Sequence, residues 1–551
     1  MMKHIYKVLT ATVLAAAMIS CSDLELDQST YHTKKYQFSD WGQVKEVMTN
    51  IYGYLQSGFY DFQECATDDA VYANSPDVAK IYYDGSWSAN NVTDDDKWAH
   101  YYAGIRAANY LLENRPEDFE ISRWDDNYKY YLEQLKNFEW EARALRAYFH
   151  MELLKRYRNI VIADRTFSKD EVNFIAPATY KKAVEWIDSE LYAAAEKLPA
   201  TYSGTYYSEI GRVTKGFALA ARARLHLYAA SPLNNATNSK TKWAEAAKAA
   251  NDFIVSNNKT MTYMLSKQNF NVENSDVIYG IREASNNMFE YNNFPVGYEG
   301  GNSGTCPTMN LVEAFDMADG TPFDFNIHKD ALLNSSLRDP RFAKAILSNG
   351  DTFKGTAVET FTGGQNGMPK ENASPTSFYL RKFVQESTSL TTGNITAQTH
   401  MYPLFRIQEV YLNYAEALFE ATGNSEFTGN LEGTNFTMSP REALNKVRGV
   451  YGMPPVPSGL LEHQFRARLH NERRVELCFE GHRFWDLRRW KEGDKTKEIY
   501  GIVITKEADD NFTIEKRLVQ SRIWEDKMYW YPIAKKETYK NQVLIQNDGW
   551  D

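Results

Sequence analysis

The chain has 551 residues, 43% apolar and 24% charged, with a formal net charge of −10. That composition is ordinary for a globular protein, with room for several domains of about 100–200 residues or one large merged one, and it excludes disorder, collagen and coiled-coil arrays as the main class. The acidic balance argues against non-specific nucleic-acid binding, while 36 Tyr, 29 Phe and 12 Trp suit a large core, a stacking surface for flat ligands, or both.

Lys3 and Lys7 precede an apolar run, Val8 to Ile19, broken only by Thr10 and Thr12. The run is too short to span a bilayer as a helix and fits a secretory signal over residues 1–20. Ala17-Met18-Ile19-Ser20-Cys21 resembles a bacterial lipobox, which implies cleavage before Cys21 and acylation of its thiol and new amino terminus. Several acyl chains at about 0.8 kcal/mol per buried CH2 anchor a protein stably. The plainer reading is a signal peptide whose Cys21 is incidental. Residues 21–40 read as a lipidated, extended polar leader, and its acidic start, Asp23-Leu24-Glu25-Leu26-Asp27, resembles the surface-export signal of Bacteroides-group lipoproteins. Cys65, Cys306 and Cys478 are widely spaced and form no CxxC, so a zinc ribbon or thioredoxin-like motif is excluded.

From residue 41 onward the pattern is helical. Glu139 to Arg158 has apolar residues at 142, 145, 149, 153 and 154, one helix stripe. Gly211 to Ala230 is rich in Ala and Leu and is stopped at Ser231-Pro232. Lys242 to Ile254 starts a partner helix, and two Ala-rich helices joined by a loop look like a tetratricopeptide-type hairpin. The pattern returns over 404–421, breaks at Gly423-Asn424, restarts behind Pro440 and runs again over about 461–480. Residues 257–400 have little helical period and are rich in Asn, Gly, Ser and Thr. The reading is mainly α: helical hairpins in one domain, 41–551, carrying a loop-rich ligand-binding lobe over about 257–400.

Six segments in order carry a family resemblance: Glu141 to Tyr148; Arg338-Asp339-Pro340-Arg341-Phe342; Phe378 to Phe383; Tyr402-Pro403-Leu404-Phe405-Arg406 running into Tyr414 to Leu418; Asn471 to Leu477 with Glu480 to Trp490; and Tyr531-Pro532-Ile533 with Asn541, Gln546, Asn547 and Gly549. Together with the lipobox they resemble the SusD/RagB family of surface nutrient-binding lipoproteins from end to end. The resemblance implies four tetratricopeptide-like helix pairs, an oligosaccharide or polysaccharide ligand, a SusC-like TonB-dependent transporter as partner, and an outer-membrane, cell-surface location, with no cofactor and no catalysis. A RagB-like peptide or glycoprotein binder is the first alternative, a surface endo-glycosidase the second.

The arginine-rich strip 466–491 is interleaved with Glu472, Glu476, Glu480 and Asp486, so it reads as an ion-pair network, with Arg473–Glu476 and Glu480–Arg483 spaced to pair on one helix face. His482 reads as a packed histidine, not a metal ligand. Asp68-Asp69 and Asp94-Asp95-Asp96 are the carboxylates a glycosidase would need, but adjacent acids more often serve turns. No HExxH, GxSxG or GxxxxGK[ST] occurs. Sugar binding needs an aromatic face and planar polar partners. Trp87, among Gly85, Ser86, Ser88 and Ala89, is the expected stacking residue, with Asp68, Asp69 and Asn74 as polar partners; core anchoring is its alternative. The family draws its binding Trp from just after a Thr-Asp-Asp/Glu motif, here Thr67-Asp68-Asp69, where this chain instead has Tyr72. The same resemblance points to Tyr291, Tyr298 and Cys306 in the loop-rich lobe, and to Arg381 as a hydroxyl donor. No metal site is expected.

Overall fold

The structure is a computed structural model that describes residues 33–60, 62–202, 209, 211–257 and 276–550. Its longer helices are α1 Lys34–Ser39, α2 Trp41–Tyr52, α3 Trp98–Asn114, α4 Tyr128–Tyr157, α5 Tyr180–Lys197, α6 Lys215–Ala230, α7 Lys240–Ser256, α8 Ile407–Thr422, α9 Pro440–Gly449, α10 Glu462–Glu476 and α11 Arg483–Arg489. The strands that matter are β1 Ala70–Tyr72, β2 Val277–Arg282, β3 Thr305–Pro307, β4 Thr352–Phe353, β5 Thr356–Ala357, β6 Met401–Arg406, β7 Glu498–Lys506 and β8 Phe512–Ser521. The fold is mainly α, and the described strands pair only in twos.

Successive helices stack: α3 on α4, α4 on α5, α5 on α6 and α6 on α7. The next neighbour of α7 is α8, which follows some 150 residues later and packs in turn on α9 and α10. Small residues make this stacking close: Ala218, Ala220, Ala221 and Ala223 of α6, and Ala246, Ala247 and Ala250 of α7, are fully or almost fully buried. Between α7 and α8 the chain leaves the scaffold and builds the lobe. Antiparallel β2–β6, with Val277 opposite Arg406 and Arg282 opposite Met401, ties the lobe's two ends together.

Helix boundaries follow local chemistry. Ser439 and Glu442 form a capping box around Pro440. Gly423 ends α8 with φ +69°, a conformation that costs glycine nothing. The leader reading fails over 34–39. Thr33 caps a helical turn through its side chain, and the buried Phe38 rests against Tyr110 of α3. Cys21 and the signal segment lie outside the described residues.

Candidate functional site

Strand β1 pairs antiparallel with β3, placing Tyr72 opposite Thr305 and Val71 opposite Cys306. This two-stranded patch joins the segment after Thr67-Asp68-Asp69 to the loop 291–304. The loop folds back on itself through Gly304 N–H to Asn292 O at 2.6 Å and Asn302 Nδ2 to Tyr291 O at 3.2 Å. Gly304 is needed there: a Cβ would sit 2.5 Å from the Asn292 carbonyl and 3.3 Å from the Tyr72 ring. Half-buried Tyr72 packs edge-on against Phe62 at 5.1 Å, half-buried Asn74 lies two residues further along the chain, and Tyr291 is 48% exposed. The result is a surface with two partly open aromatic rings and two amides, Asn74 and Asn302.

Tyr298 and Arg381 form a second group at the β4–β5 hairpin. The Tyr298 hydroxyl bonds Phe353 O at 3.2 Å and Thr356 Oγ1 at 2.9 Å, while Arg381 donates to Thr352 O and pairs with Glu386 at 2.7 Å. Arg381 is therefore already committed to a carboxylate, which corrects its reading as a spare hydroxyl donor.

Trp87, Asp68, Asp69 and Cys306 are also corrected. Trp87 is only 3% exposed, with ring neighbours Tyr531 at 4.9 Å, Trp550 at 5.1 Å and Tyr82 at 5.3 Å. The small residues around it do not open the indole to solvent. The C-terminal segment closes over it, held by Ile523 N–H to Tyr83 O and Lys535 N–H to Ala89 O, both 2.9 Å. Asp68 takes a two-pronged contact from Arg483, both bonds 2.8 Å, and pairs with Arg474 at 2.9 Å. Burial opposes its charge, yet the two guanidinium groups hold its carboxyl well below the usual range. Asp69 pairs with Arg474 at 2.6 Å, and burial pushes its carboxyl up. The Cys306 thiol donates to Ser303 O at 3.0 Å, and burial pushes it up to about 12. None of the four presents a free face.

Of the other carboxylates a glycosidase would need, Asp94 is exposed and two are similarly spent. Asp95 takes Arg156 at 2.7 Å, and Asp96 accepts from the Tyr157 hydroxyl at 2.5 Å. The arginine-rich strip is a network in which Arg489 and Asp486 pair three residues apart, but most partners are distant in sequence. Arg473 pairs with Asp486 rather than Glu476; Glu476 binds Arg341 and Arg406; Glu480 binds Lys382 and Arg406; Arg489 binds Glu416. His482 is buried against Arg473, and burial lowers its pKa. No cluster of three or more His, Cys, Asp or Glu suited to a metal occurs among the described residues.

Beneath the β1–β3 patch lies a cavity of about 100 Å3, lined by Phe62, Glu64, Lys155, Thr305 and Glu480 among others. It is far below the roughly 300–1,000 Å3 of a small-molecule pocket. Burial and the neighbouring Asp69 push Glu64 up to about 8. The open surface above the cavity, not the cavity itself, has the extent to meet an extended ligand. Phe62 and Asn302 belong to that surface and were missed; an Asn flanked by Gly301 and Ser303-Gly304 was the one sequence cue, and Phe62 offered none.

A profile of the SusD family matches residues 256–550, and a second, described as starch-binding associating with outer membrane, matches residues 26–227. SusD-like protein P25 of Formosa agariphila is 20% identical over 582 residues, covering 99% of this chain and 98% of the relative. Among solved structures, a SusD-like protein of Bacteroides fragilis superposes with a TM-score of 0.75 at 24% identity, over 93% of this chain and 98% of that one. A SusD-like carbohydrate binding protein of the same species gives 0.71 at 23% identity, over 92% and 100%.

Proposed function

The chain belongs to the SusD family, and from that premise we propose that it is a non-catalytic, lipid-anchored binder of oligosaccharide or polysaccharide at the outer face of the outer membrane, delivering its ligand to a SusC-like TonB-dependent transporter. The observation that carries the reading is the β1–β3 patch. It leaves Tyr72 and Tyr291 partly open beside Asn74 and Asn302, while the neighbouring carboxylates are locked in ion pairs. An aromatic face covers the C–H side of a sugar ring, and amides pair with its hydroxyls. The solved relative described as carbohydrate binding supports the ligand class, and the outer-membrane wording of the second profile supports the location. Anchoring rests on Cys21.

Affinity gels loaded with a panel of polysaccharides test this directly. Retardation without release of reducing ends is the expected result. Released ends would favour an enzyme, and retention of peptides alone would favour a peptide binder. Pull-down of the tagged protein from mild detergent should bring a large barrel with it, and Cys21→Ser should abolish incorporation of labelled palmitate.

A further inference from the structure

The β7–β8 hairpin has one covered edge and one open edge. On β7, Tyr500 N–H donates to Asn310 Oδ1 at 2.8 Å, Ile502 N–H donates to Thr376 O at 3.1 Å, and Ile504 O accepts from Thr362 N–H at 2.8 Å. These three residues turn their backbone groups away from β8, where their register partners are Leu518, Lys516 and Ile514. In an antiparallel pair, opposed residues that exchange no hydrogen bonds both point outward. The N–H and C=O groups of Ile514, Lys516 and Leu518 therefore line the free side of β8, and among the described residues none of them has a hydrogen-bond partner. Residues 515–518 are all exposed, and Leu518 is open by 47%. An open edge of this kind is a template for another strand.

The order of side chains along the edge identifies that strand. Ile514-Glu515-Lys516-Arg517-Leu518 is charge-complementary to its own reverse. In a second copy running antiparallel about a two-fold axis at Lys516, Glu515 of each copy faces Arg517 of the other, and Ile514 faces Leu518. The position of the axis discriminates. Moved by one residue, to Glu515 or Arg517, it sets like charges against each other. Moved by two, to Ile514 or Leu518, it leaves both charges opposite uncharged side chains. The one like-charged meeting, Lys516 with its own copy, is relieved within each chain, where Nζ lies 2.6 Å from Glu313 Oε1. Among the described residues Glu515 has no ion-pair partner, and Arg517 donates to a carbonyl, Pro375 O at 2.8 Å, not to a carboxylate.

We propose that β8 is a self-recognition edge, through which two copies pair about a two-fold axis at Lys516 and join their hairpins into one four-stranded sheet. The pairing forms about six new backbone hydrogen bonds. It is smaller than the roughly 800 Å2 per partner of a standard interface, so it is a weak contact that forms where copies are crowded. It uses no residue of the β1–β3 patch and does not depend on the glycan reading.

The test uses the full chain carrying Cys21→Ser, whose remaining cysteines are buried. Lys516→Cys places the two thiols at the axis, on Cα atoms about 5.5 Å apart, within reach of a disulfide. Mild oxidation should link it into dimers, whereas Thr513→Cys, on the same strand but far from its own copy, should stay monomeric. Sedimentation velocity across a concentration series reads the charges without a crosslink. Glu515→Arg and Arg517→Glu should each weaken self-association about fivefold or more, with unchanged thermal midpoints. The two single variants mixed together should pair again, because each then meets opposite charges on the other. Equal crosslinking of Lys516→Cys and Thr513→Cys, self-association indifferent to both charge reversals, or a wild-type chain that stays monomeric at every concentration would overturn the proposal.

Discussion

Two regions hold the residue types that sugar recognition uses, and the structure treats them in opposite ways. Around α10 and α11, carboxylates and guanidinium groups are buried and matched: Arg341 with Glu472 and Glu476, Arg406 with Glu476 and Glu480, Arg483 with Asp68. Arg341 ties the lobe to α10, and Asp68 ties the segment ahead of α3 to α11. At the β1–β3 patch the polar and aromatic side chains are half-buried or exposed, and Tyr291 is nearly half open. The lesson is that acid, amide and aromatic content marks neither region as a binding site. What separates them is whether the groups keep a face open to solvent: the ion pairs are closed in, while Tyr72, Tyr291 and Asn302 stay partly exposed.

The comparison breaks most readily at Asp68. Asp68→Ala takes from the buried Arg483 its two-pronged partner, while Arg474 keeps Asp69, and loss of one partner of a buried pair costs about 3–5 kcal/mol. Trp87→Ala, which empties an aromatic cluster, should cost a similar ~3–5 kcal/mol. Denaturant unfolding should show both losses, with the glycan affinity of the folded fraction within about twofold of wild type, a difference under ~0.5 kcal/mol.

Acid sharpens the contrast next. His150 uses both ring nitrogens as a neutral imidazole, Nδ1–H donating to Arg146 O at 2.8 Å and Nε2 accepting from Ala163 N–H at 3.0 Å. Burial lowers it to about 3, and burial lowers His470, stacked 3.7 Å from Trp490, to about 4. Both folded pKa values lie below the unfolded one near 6.5, so their stabilisation is present above about pH 6.5 and is lost as pH falls through 4 toward 3. Lowering the pH from about 7 to about 5 should cost roughly 2 kcal/mol for each histidine. His150→Gln should remove about that much from the loss measured by denaturation at the two pH values. The open patch has no comparable group, since burial raises the Tyr72 phenol further above its already alkaline range. Glycan affinity should therefore be flat across the same interval.

Smaller effects belong to the patch itself. Tyr72→Ala should weaken glycan binding by about 1–2 kcal/mol, roughly 5- to 30-fold. Tyr291→Ala, on the more open ring, should cost roughly 0.5–1 kcal/mol, about two- to fivefold, by isothermal titration.

The scaffold was legible because its signals are local. Alanine-rich stripes, Ser231-Pro232, Gly423 and the Ser439-Pro440 start each act within a turn or two, and the helices begin and end beside them. The site was legible only in part. Tyr72, Asn74 and the 291–306 loop were named and are brought together by a strand pairing that spans more than 230 residues. Trp87 was misread because its burial is decided by Tyr531 and Trp550, more than 440 residues away. Spacing of three residues suggested that Arg473 pairs with Glu476, yet Arg341 and Arg406 take Glu476 from outside the helix. Long-range closure leaves no mark on a local window.

Tyr72→Ala and Trp87→Ala, each measured for glycan affinity and for unfolding free energy on one polysaccharide that the wild-type protein retains, test the central claim most directly. The account predicts that Tyr72→Ala loses at least about fivefold in affinity, ~1 kcal/mol, at close to wild-type stability, while folded Trp87→Ala binds normally and unfolds early. Wild-type affinity in Tyr72→Ala, with affinity lost in a stable Trp87→Ala, would contradict it.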